Sequence, residues 1–480
     1  MVNKVFSSVR AAHVVRSAPA GRSASTTRST RSARTALALL LSALLACSAP
    51  FCAFADVRLA DVVYGESVEA LGLSVAQCPS IDAQYAYVMD TDGTVYFERN
   101  ANTETQIASI TKVMTAIVAL ENASLDTTIT VSAAAAAIGE SSASLWEGDV
   151  LTLDQALTAM LVSSGNDAAL AIAENLGAAW VEGSETAVEA YAVKMNEKAA
   201  ELGMENSVFE NPHGLDFDAY AGNLHSTAHD VATMCAYAMQ NTTFRQIVCQ
   251  PSANVTVLRD GANETIELTS TDLMLDEYEG ACGIKTGYTA LAGASFAGAC
   301  ERNGKTYIAV VINSSSESQR FTDCETLFDW VFEHQTSYQL INSTETMSVT
   351  RNGQEQSVPV VAYVSHQGWT NKTIAATVED PTQTVDVFDL RGNVSQEVEF
   401  ETITEDVHVG DKLGTLTFKQ HNEVLATVTI VSCEDVSAPN MFEGIGIWFQ
   451  RFFANFTHEQ TSATSMLVNT TPLIVDRSTW

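Results

Sequence analysis

Hydrophobic and polar residues alternate with two different periods along the 480-residue chain, and the change of period divides it. Between residues 79 and 336, two groups of β-prone runs enclose Ala-rich stretches whose residues favour buried helices. Helices enclosed by strands from both ends of a segment are typical of an α+β domain. From residue 337 to 436 short alternating runs dominate, and they predict a small all-β, sandwich-like domain.

The elements expected in the first domain can be named individually. The predicted strands are Tyr85–Met89, Thr94–Phe97, Cys282–Tyr288, Ala294–Cys300 and Tyr307–Ile312. The predicted helices are Ala108–Leu120, Ala228–Met239 and Phe321–Phe332, with a helical region from Ala133 to Leu202 that breaks near Gly139, Gly165 and Gly183. Residues 56–78 are expected to be a short lead-in, and residues 437–480 an amphipathic tail.

The first 55 residues predict a signal peptide. They hold seven Lys or Arg and no acid, followed by an apolar run from Ala36 to Ala55. Ala53-Phe54-Ala55 has the small-x-small form of a cleavage site, so we expect removal before Asp56 and an exported protein. The alternatives are a retained membrane helix and, because Leu45-Ala46-Cys47 weakly resembles a lipoprotein site, lipidation at Cys47.

Charge and cysteine usage exclude several classes of function. Without the first 55 residues the chain keeps 25 − 7 = 18 basic residues against 58 acidic ones, a net charge of −40. Such a body argues against nucleic-acid binding, which needs basic clusters. Seven cysteines remain, in no CxxC pair, so we predict neither a metal site nor a cofactor. The sequence leaves any disulfide pairing open, and most of these cysteines are expected to be small buried residues.

A serine and a lysine at the start of the first apolar helix carry the strongest chemical signal. In Ser109-Ile110-Thr111-Lys112 the spacing of three puts Ser109 and Lys112 on one face, within reach of each other. A serine hydroxyl needs a base before it can attack, and a desolvated lysine next to a second cation can be that base. The helix N-terminus adds backbone N–H groups where an oxyanion would form.

Two further motifs follow in an order that strengthens the first. In Ser164-Gly165-Asn166, on a break between helices, the hydroxyl could relay a proton and the amide could orient Lys112. In Lys285-Thr286-Gly287, at a strand end, the first two residues offer donors to a carboxylate and the glycine allows close backbone approach. Ser252-Ala253-Asn254 fits the second pattern as well, but its β-prone surroundings mark it as a decoy.

This order of motifs occurs in penicillin-binding proteins and class A β-lactamases. The wider text resembles one family, the low-molecular-mass penicillin-binding proteins that are serine-type D-alanyl-D-alanine carboxypeptidases. The resemblance covers nearly all of residues 80–336. It is carried by IASITKVMTAIVAL (107–120), SSGNDAALAIA (163–173), MNEKAAELGMENSVFENPHGL (195–215), STAHDVATMCA (226–236) and GIKTGYTALAG (283–293).

The resemblance implies a fold, a substrate and residue roles. The fold would be the α+β penicillin-recognising (β-lactamase/transpeptidase-like) domain followed by the β domain. The substrate would be a peptidoglycan stem peptide ending in D-Ala-D-Ala, and β-lactams would be covalent inhibitors. Ser109 would be acylated, Lys112 would be the base, and Ser164 and Asn166 would assist. The substrate-binding residues would be Lys285, Thr286, Gly287, Tyr288 and Arg320, with the Ser109 and Tyr288 N–H groups as the oxyanion hole. His213 would belong to a structural loop.

Three other functions compete with terminal D-Ala hydrolysis. A D,D-endopeptidase acting on cross-linked peptidoglycan fits the same motifs. A class A-like β-lactamase would need a glutamate-bearing loop for deacylation, which the sequence does not identify, and would lack the trailing β domain. A non-catalytic wall- or drug-binding module would predict damaged motifs, whereas all three are intact.

The tail predicts attachment to a membrane surface. Met441–Phe456 places Phe442, Ile445, Phe449, Phe452, Phe453 and Phe456 at helical spacing with Trp448 beside them, so one face is densely aromatic. The stretch is too short and polar to span about 30 Å of hydrocarbon. The alternative is a helix packed on the β domain.

Overall fold

The computed structural model describes residues 60–182, 186–351, 353–457 and 461–474. The predicted signal peptide, its cleavage site and Cys47 therefore lie outside the described residues, as do Gly183 and Asn352. The first domain is α+β, as the sequence predicts.

Within the described residues, eleven strands of the first domain form two antiparallel sheets. The strands are β1 Asp61–Val63, β2 Glu66–Ser67, β3 Tyr85–Asp90, β4 Val95–Arg99, β5 Thr128–Thr130, β6 Val150–Thr152, β7 Ser252–Arg259, β8 Ala262–Thr269, β9 Ala281–Thr289, β10 Gly293–Arg302 and β11 Lys305–Ser314. The central sheet has the order β2-β1-β4-β3-β11-β10-β9, so β9 is an edge strand. The second sheet has the order β5-β6-β7-β8.

Helices cover both faces of the central sheet. They are Val68–Leu71, Lys112–Asn122, Ala133–Ala137, Leu153–Val162, Asn166–Gly177, Ala187–Glu201, Ala228–Ala238, Thr242–Val248, Met274–Glu277 and Gln319–His334. The strand period of two separates the faces. In β11, Ile308 and Val310 enter the core beneath the helix Lys112–Asn122, whereas Ala309 and Val311 enter the core beneath the helix Gln319–His334.

The sequence placed the start of this domain too late. The predicted lead-in of residues 56–78 contains β1 and β2, which extend the central sheet. Arg99 explains the pairing, because its guanidinium donates to both Asp61 carboxylate oxygens at 2.6 and 2.9 Å in a buried, bidentate contact. Strands of two or three residues are too short to show a period. The predicted helical region between Ala133 and Leu202 likewise contains β6.

The second domain is β-rich, as predicted. Its strands are β12 Gln335–Gln339, β13 Thr346–Arg351, β14 Gln354–Pro359, β15 Ala362–Ser365, β16 Thr373–Val378, β17 Thr384–Phe388, β18 Val394–Phe400, β19 Lys412–Gln420, β20 Glu423–Ser432 and β21 Met466–Leu467. One sheet has the order β18-β19-β20-β16-β15-β21, and β12–β17 and β13–β14 form two smaller sheets. The finer description as a sandwich stays a prediction.

The described residues after the amphipathic helix, 461–474, pack against the second domain and do not form a separate tail. β21 pairs with β15. Asn469 fixes the return, because its buried amide donates to the Leu340 carbonyl at 3.0 Å and to Gln396 Oε1 at 2.9 Å, and accepts from the Asn342 N–H at 2.8 Å. The predicted tail of residues 437–480 thus joins two features, an amphipathic helix and a segment that completes the β domain.

That helix is Met441–Thr457, and its aromatic face is exposed. Phe442 is 81% exposed, Phe453 63% and Trp448 60%. The opposite side contacts the second domain, where Ile447 is buried and Arg451 donates to the carbonyls of Trp369 and Thr461 at 3.1 and 3.2 Å. None of the helices within the described residues combines the length and apolarity needed to cross a bilayer.

Candidate active site

Ser109 lies in a 3₁₀ turn, Ala108–Thr111, that leads directly into the helix Lys112–Asn122. Two glycines allow other segments to pack against this turn. A Cβ on Gly214 would lie 1.9 Å from the Ala108 carbonyl oxygen, and a Cβ on Gly287 would lie 2.7 Å from that of Ile107. Ala108 itself has a φ of +48°, an unusual conformation for a residue with a Cβ. The chain thus holds the serine on a tightly packed, strained turn.

Lys112 is fully buried beneath Ser109. Its Nζ donates to Asn166 Oδ1 at 2.7 Å and to the His213 carbonyl at 3.0 Å, and Ser109 Oγ lies 2.7 Å from the same nitrogen. Burial lowers the pKa of Lys112 well below its usual value, and the Lys285 cation lowers it further while Asp167 opposes the shift. A neutral amine has two protons and one lone pair. Because Asn166 Oδ1 and the carbonyl accept both protons, the lone pair is directed at the Ser109 hydroxyl, as a general base requires.

The orientation of the Asn166 amide follows from a second contact. Its Nδ2 donates to the Gly139 carbonyl at 3.1 Å, an atom that only accepts, so Oδ1 must face Lys112. The neighbouring Asp167 holds the loop above it: its carboxylate accepts from the Ala143 N–H at 2.9 Å and from Ser142 Oγ at 2.6 Å. Asp167 is a positioning residue that the motif search missed.

Ser164 is buried, lines the cavity above Ser109 and has a φ of +61°. Its hydroxyl makes no hydrogen bond among the described residues, so nothing in the protein competes with a bound substrate for it. The break between the helices Leu153–Val162 and Asn166–Gly177 therefore places this hydroxyl as the sequence predicts. A relay through Ser164 remains a prediction, because no direct contact joins it to Lys112.

Lys285 is buried at the other side of the site. Its Nζ donates to the Thr286 carbonyl at 3.1 Å, and Thr286 Oγ1 lies 2.7 Å from Thr271 Oγ1. Burial, reinforced by the Arg320 cation, lowers the pKa of Lys285 to about 7, whereas Asp272 opposes the shift. Burial also raises the pKa of Asp272 to about 6. Buried cations beside two hydroxyls form a suitable cradle for a carboxylate.

Arg320 and Tyr288 complete this side. Arg320 is buried, and it donates to the Gly287 carbonyl at 3.3 Å and to Glu317 at 3.4 Å. Tyr288 is 59% exposed at the rim. Gly287 was expected to let a substrate backbone approach. It also makes room for the turn that carries Ser109, because a side chain at this position would clash with Ile107.

The predicted residues meet around one cavity of about 400 Å³. Six of them line it, namely Ser109, Ser164, Thr286, Gly287, Tyr288 and Arg320. Three more are buried behind this lining. Lys112 contacts Ser109, Asn166 contacts Lys112, and Lys285 contacts the carbonyl of Thr286, the residue that follows it. Since β9 is the edge strand of the central sheet, its outer backbone groups can pair with an extended peptide in this cavity.

His213 and the decoy motif are placed as expected. Burial and the nearby Lys112 lower the pKa of His213 to about 3, so its ring is neutral, and its Nδ1 accepts from the Leu215 N–H at 3.2 Å. The carbonyl of His213, rather than its imidazole, holds Lys112. Ser252 and Asn254 are exposed on β7, within the smaller sheet. No group of three or more metal-ligating side chains occurs in the part of the chain that is described.

Comparison with known proteins gives one consistent result. The family described as D-alanyl-D-alanine carboxypeptidase matches residues 73–316. D-alanyl-D-alanine carboxypeptidase DacF of Bacillus subtilis is 28% identical over 366 residues, 74% of this chain and 86% of DacF. The crystal structure of the Streptomyces K15 DD-transpeptidase is 32% identical with a TM-score of 0.50, covering 53% of this chain and 98% of that one. The structure of DacD from Francisella tularensis, at 22% identity, shares the fold over 76% of this chain and 97% of its own, with a TM-score of 0.51.

Proposed function

Because the chain belongs to the D-alanyl-D-alanine carboxypeptidase family, we propose that the cavity above Ser109 removes the terminal D-Ala of peptidoglycan stem peptides through an acyl-enzyme on Ser109. The chain is a serine-type peptidase of the penicillin-binding class, and its structure has the penicillin-recognising fold. The observation that carries the proposal is the 2.7 Å contact between Lys112 Nζ and Ser109 Oγ beneath the cavity.

The first half-reaction follows from this contact. Lys112 takes the hydroxyl proton while Ser109 Oγ attacks the carbonyl carbon of the penultimate D-Ala. The backbone N–H groups of Ser109 and Tyr288 are proposed to receive the oxyanion. The C–N bond then breaks, and the leaving amine of the terminal D-Ala takes the proton from Lys112 through the Ser164 hydroxyl. The products are free D-Ala and a Ser109 ester.

In the second half-reaction Lys112 is again the base, and a water molecule takes the place of Ser109 as the attacking group. Lys112, again neutral, takes a proton from a water molecule that attacks the ester, and that proton returns to Ser109 Oγ as the peptide leaves. The base must be neutral at both steps, and burial keeps it so by lowering the pKa of Lys112.

Binding of the terminal carboxylate would fix the orientation of the substrate in the cavity. We assign it to Lys285 and Thr286, with Arg320 behind them, because these donors line or border the cavity where β9 ends. Arg320 donates from its two terminal nitrogens to Gly287 and Glu317, whereas its buried Nε–H has no partner among the described residues. A β-lactam carries a carboxylate at a similar distance from a reactive carbonyl and would acylate Ser109 in the same way.

No observation favours the competing functions. Of the residues that line the cavity, Glu317 is the acidic one, and it pairs with Arg320 rather than with Ser109. A class A-like deacylation by glutamate is therefore unsupported, and D,D-endopeptidase activity stays a prediction. A purified protein that releases one D-Ala from a stem pentapeptide, measured by mass spectrometry, would support the proposal. Release that is equal in Ser109→Ala would contradict it.

We also propose that the exported enzyme rests on the outer face of the cell membrane through the helix Met441–Thr457. The support is the exposed aromatic face of that helix, combined with the fixed contacts of Ile447 and Arg451 on its other side. A helix held in this way presents its apolar face outward without needing to span the bilayer.

A further inference from the structure

Two cysteines come together at the start of β9, the strand that carries Lys285. Cys249, which ends the helix Thr242–Val248, places its Sγ 3.1 Å from the carbonyl oxygen of Cys282, to which the thiol donates. The Cys249 side chain therefore already lies against the backbone of Cys282.

The two segments pack closely next to these cysteines. A Cβ built on Gly283 would lie 2.8 Å from Val248 Cγ2 and 3.1 Å from the Val248 carbonyl oxygen. Gly283 has a φ of +110°, a conformation that favours glycine. A disulfide needs Cα atoms about 4.4–6.8 Å apart, and the close approach of residues 248 and 283 brings their chain neighbours Cys249 and Cys282 together.

Cys300 is also close to β9, but its side chain lies on the opposite face of the central sheet. Cys282 belongs to the core beneath the helix Lys112–Asn122, and Cys249 packs against that same core. Cys300, on the adjacent strand β10, belongs to the core on the opposite face of the sheet. Cys300 is therefore separated from Cys282 by the sheet, whereas Cys249 lies on the same side as Cys282 and its Sγ contacts the Cys282 backbone.

We propose that Cys249 and Cys282 form a disulfide when the protein meets a low-molecular-mass disulfide, and that this bond clamps the first residues of β9 to the helix Thr242–Val248. Cys249 is half-buried and can be reached by such a reagent, whereas Cys282 is buried. The bond is a modification site distinct from the hydrolytic chemistry at Ser109.

The chemistry is two thiol–disulfide exchanges. The Cys249 thiolate attacks one sulfur of the reagent, whose S–S bond breaks and releases one thiolate. The Cys282 sulfur, losing its proton to that thiolate, then attacks Cys249 and releases the second reagent thiol. Two protein thiols and one disulfide become one protein disulfide and two thiols. The Cys282 hydrogen bond and Arg245 lower the pKa of Cys249, which favours it as the first attacker, although burial opposes the shift.

The consequence is a more stable strand with an unchanged site. Cys282 precedes Lys285 by three residues, and the link would close a loop of residues 249–282. We expect the unfolding midpoint to rise by about 5–10 °C, the range that a loop of this size gives in a domain of this length. The rate of acylation by penicillin at 25 °C should stay within about twofold, because Cys249 already contacts Cys282 before the bond forms.

The test uses the full chain treated with oxidised glutathione and then digested without reduction. We expect a linked pair of peptides that contain Cys249 and Cys282, two mass units lighter than their sum. Cys249→Ser should abolish the link and the rise in the unfolding midpoint. Cys300→Ala should retain both, since it changes the thiol on the opposite face.

Three results would overturn the proposal. One is a stable glutathione adduct on Cys249 without further exchange. Another is a link from Cys282 to Cys300. The third is an equal rise in midpoint for Cys249→Ser, which would mean that the reagent acts elsewhere. Because Cys249 is only half-buried, its serine variant is expected to fold, and circular dichroism before oxidation checks that it does.

Discussion

The Nζ of Lys112 lies 2.7 Å from the Oγ of Ser109, and the other two hydrogen bonds of that amine end on oxygens that can only accept. This arrangement assigns the one lone pair of a neutral lysine to the nucleophile. It explains why the base can act without an acidic partner: the His213 carbonyl and the Asn166 amide orient it, and burial keeps it neutral.

Lys112→Arg tests that assignment. A guanidinium keeps the charge but does not deprotonate, so it cannot accept the Ser109 proton. We expect the second-order rate of acylation by penicillin to fall by about a thousandfold, in the range of a lost general base. Lys194→Arg, at an exposed ion pair with Glu197, should leave the rate unchanged. A folded Lys112→Arg protein that acylates at the normal rate would contradict the role.

Covalent labelling tests the nucleophile. Penicillin should add to the peptide that contains Ser109, and mass spectrometry of a digest should locate it there. Ser109→Ala should lose the adduct, whereas Ser252→Ala, in the decoy motif on β7, should keep it in full. An adduct on any other peptide of the folded protein would refute the assignment.

The lowered pKa of Lys285 predicts the pH above which activity declines. Burial lowers the pKa of Lys285 to about 7, so the cation to which we assign the substrate carboxylate is present below that pH and is lost as pH rises through it. The value of kcat/KM reports groups of the free enzyme, and it should therefore fall above about pH 7. In Lys285→Arg the cation persists, so this decline should disappear. A decline of the same midpoint in Lys285→Arg would assign it to another group.

Much of the site could be predicted because its signals are local. Ser109 and Lys112 are three residues apart in one helical turn, and Ser164 and Asn166 flank one helix break. Other contributions could not be predicted. Asp167 looks like an ordinary acid in the first turn of a helix, and only the fold shows that it holds the Ala143 N–H.

Long-range contacts explain the errors in the domain boundaries. β1 joins the sheet because Asp61 meets Arg99, 38 residues away, and no local pattern reports that pairing. The return of the tail depends on Asn469, a polar residue that the sequence gives no reason to bury. By contrast, the turn Arg302-Asn303-Gly304 is a local signal, since Asn303 and Gly304 are residues that readily take the positive φ that a tight hairpin demands, and both take it here.

Gly287→Ala tests how the strand and the nucleophile fit together. The added Cβ would lie 2.7 Å from the Ile107 carbonyl oxygen and 3.3 Å from Ala108 Cβ, and a backbone oxygen cannot move aside as the end of a flexible side chain can. Overpacking of this kind costs about 1–3 kcal/mol, so the unfolding midpoint should drop by several degrees. Acylation should slow at least about tenfold, because the clash displaces the turn that carries Ser109. Gly444→Ala meets no atom within 4 Å and serves as the matched control, with normal acylation.

Binding to lipid vesicles tests the membrane proposal. The helix Met441–Thr457 carries one basic residue, Arg451, and that residue is already bound to backbone carbonyls of the second domain. Attraction to anionic lipid should therefore contribute little, and the acidic body would oppose it. Binding must come from burial of aromatic side chains, so the full chain should float with zwitterionic vesicles at least as well as with anionic ones at low salt.

Two pairs of substitutions separate the contribution of aromatic burial to vesicle binding from that of charge. Phe449→Glu combined with Phe453→Glu removes two exposed aromatics, each worth about 1.5–3 kcal/mol on burial, so partitioning should fall at least about a hundredfold. Val75→Glu combined with Val424→Glu makes the same change of charge at two other exposed apolar residues and should float like the parent. Loss of flotation in both pairs would point to net charge instead of the helix. Retention in both would contradict the proposal, because a lipid surface could not tolerate two carboxylates at the centre of its contact, so vesicle binding would have to come from another part of the protein.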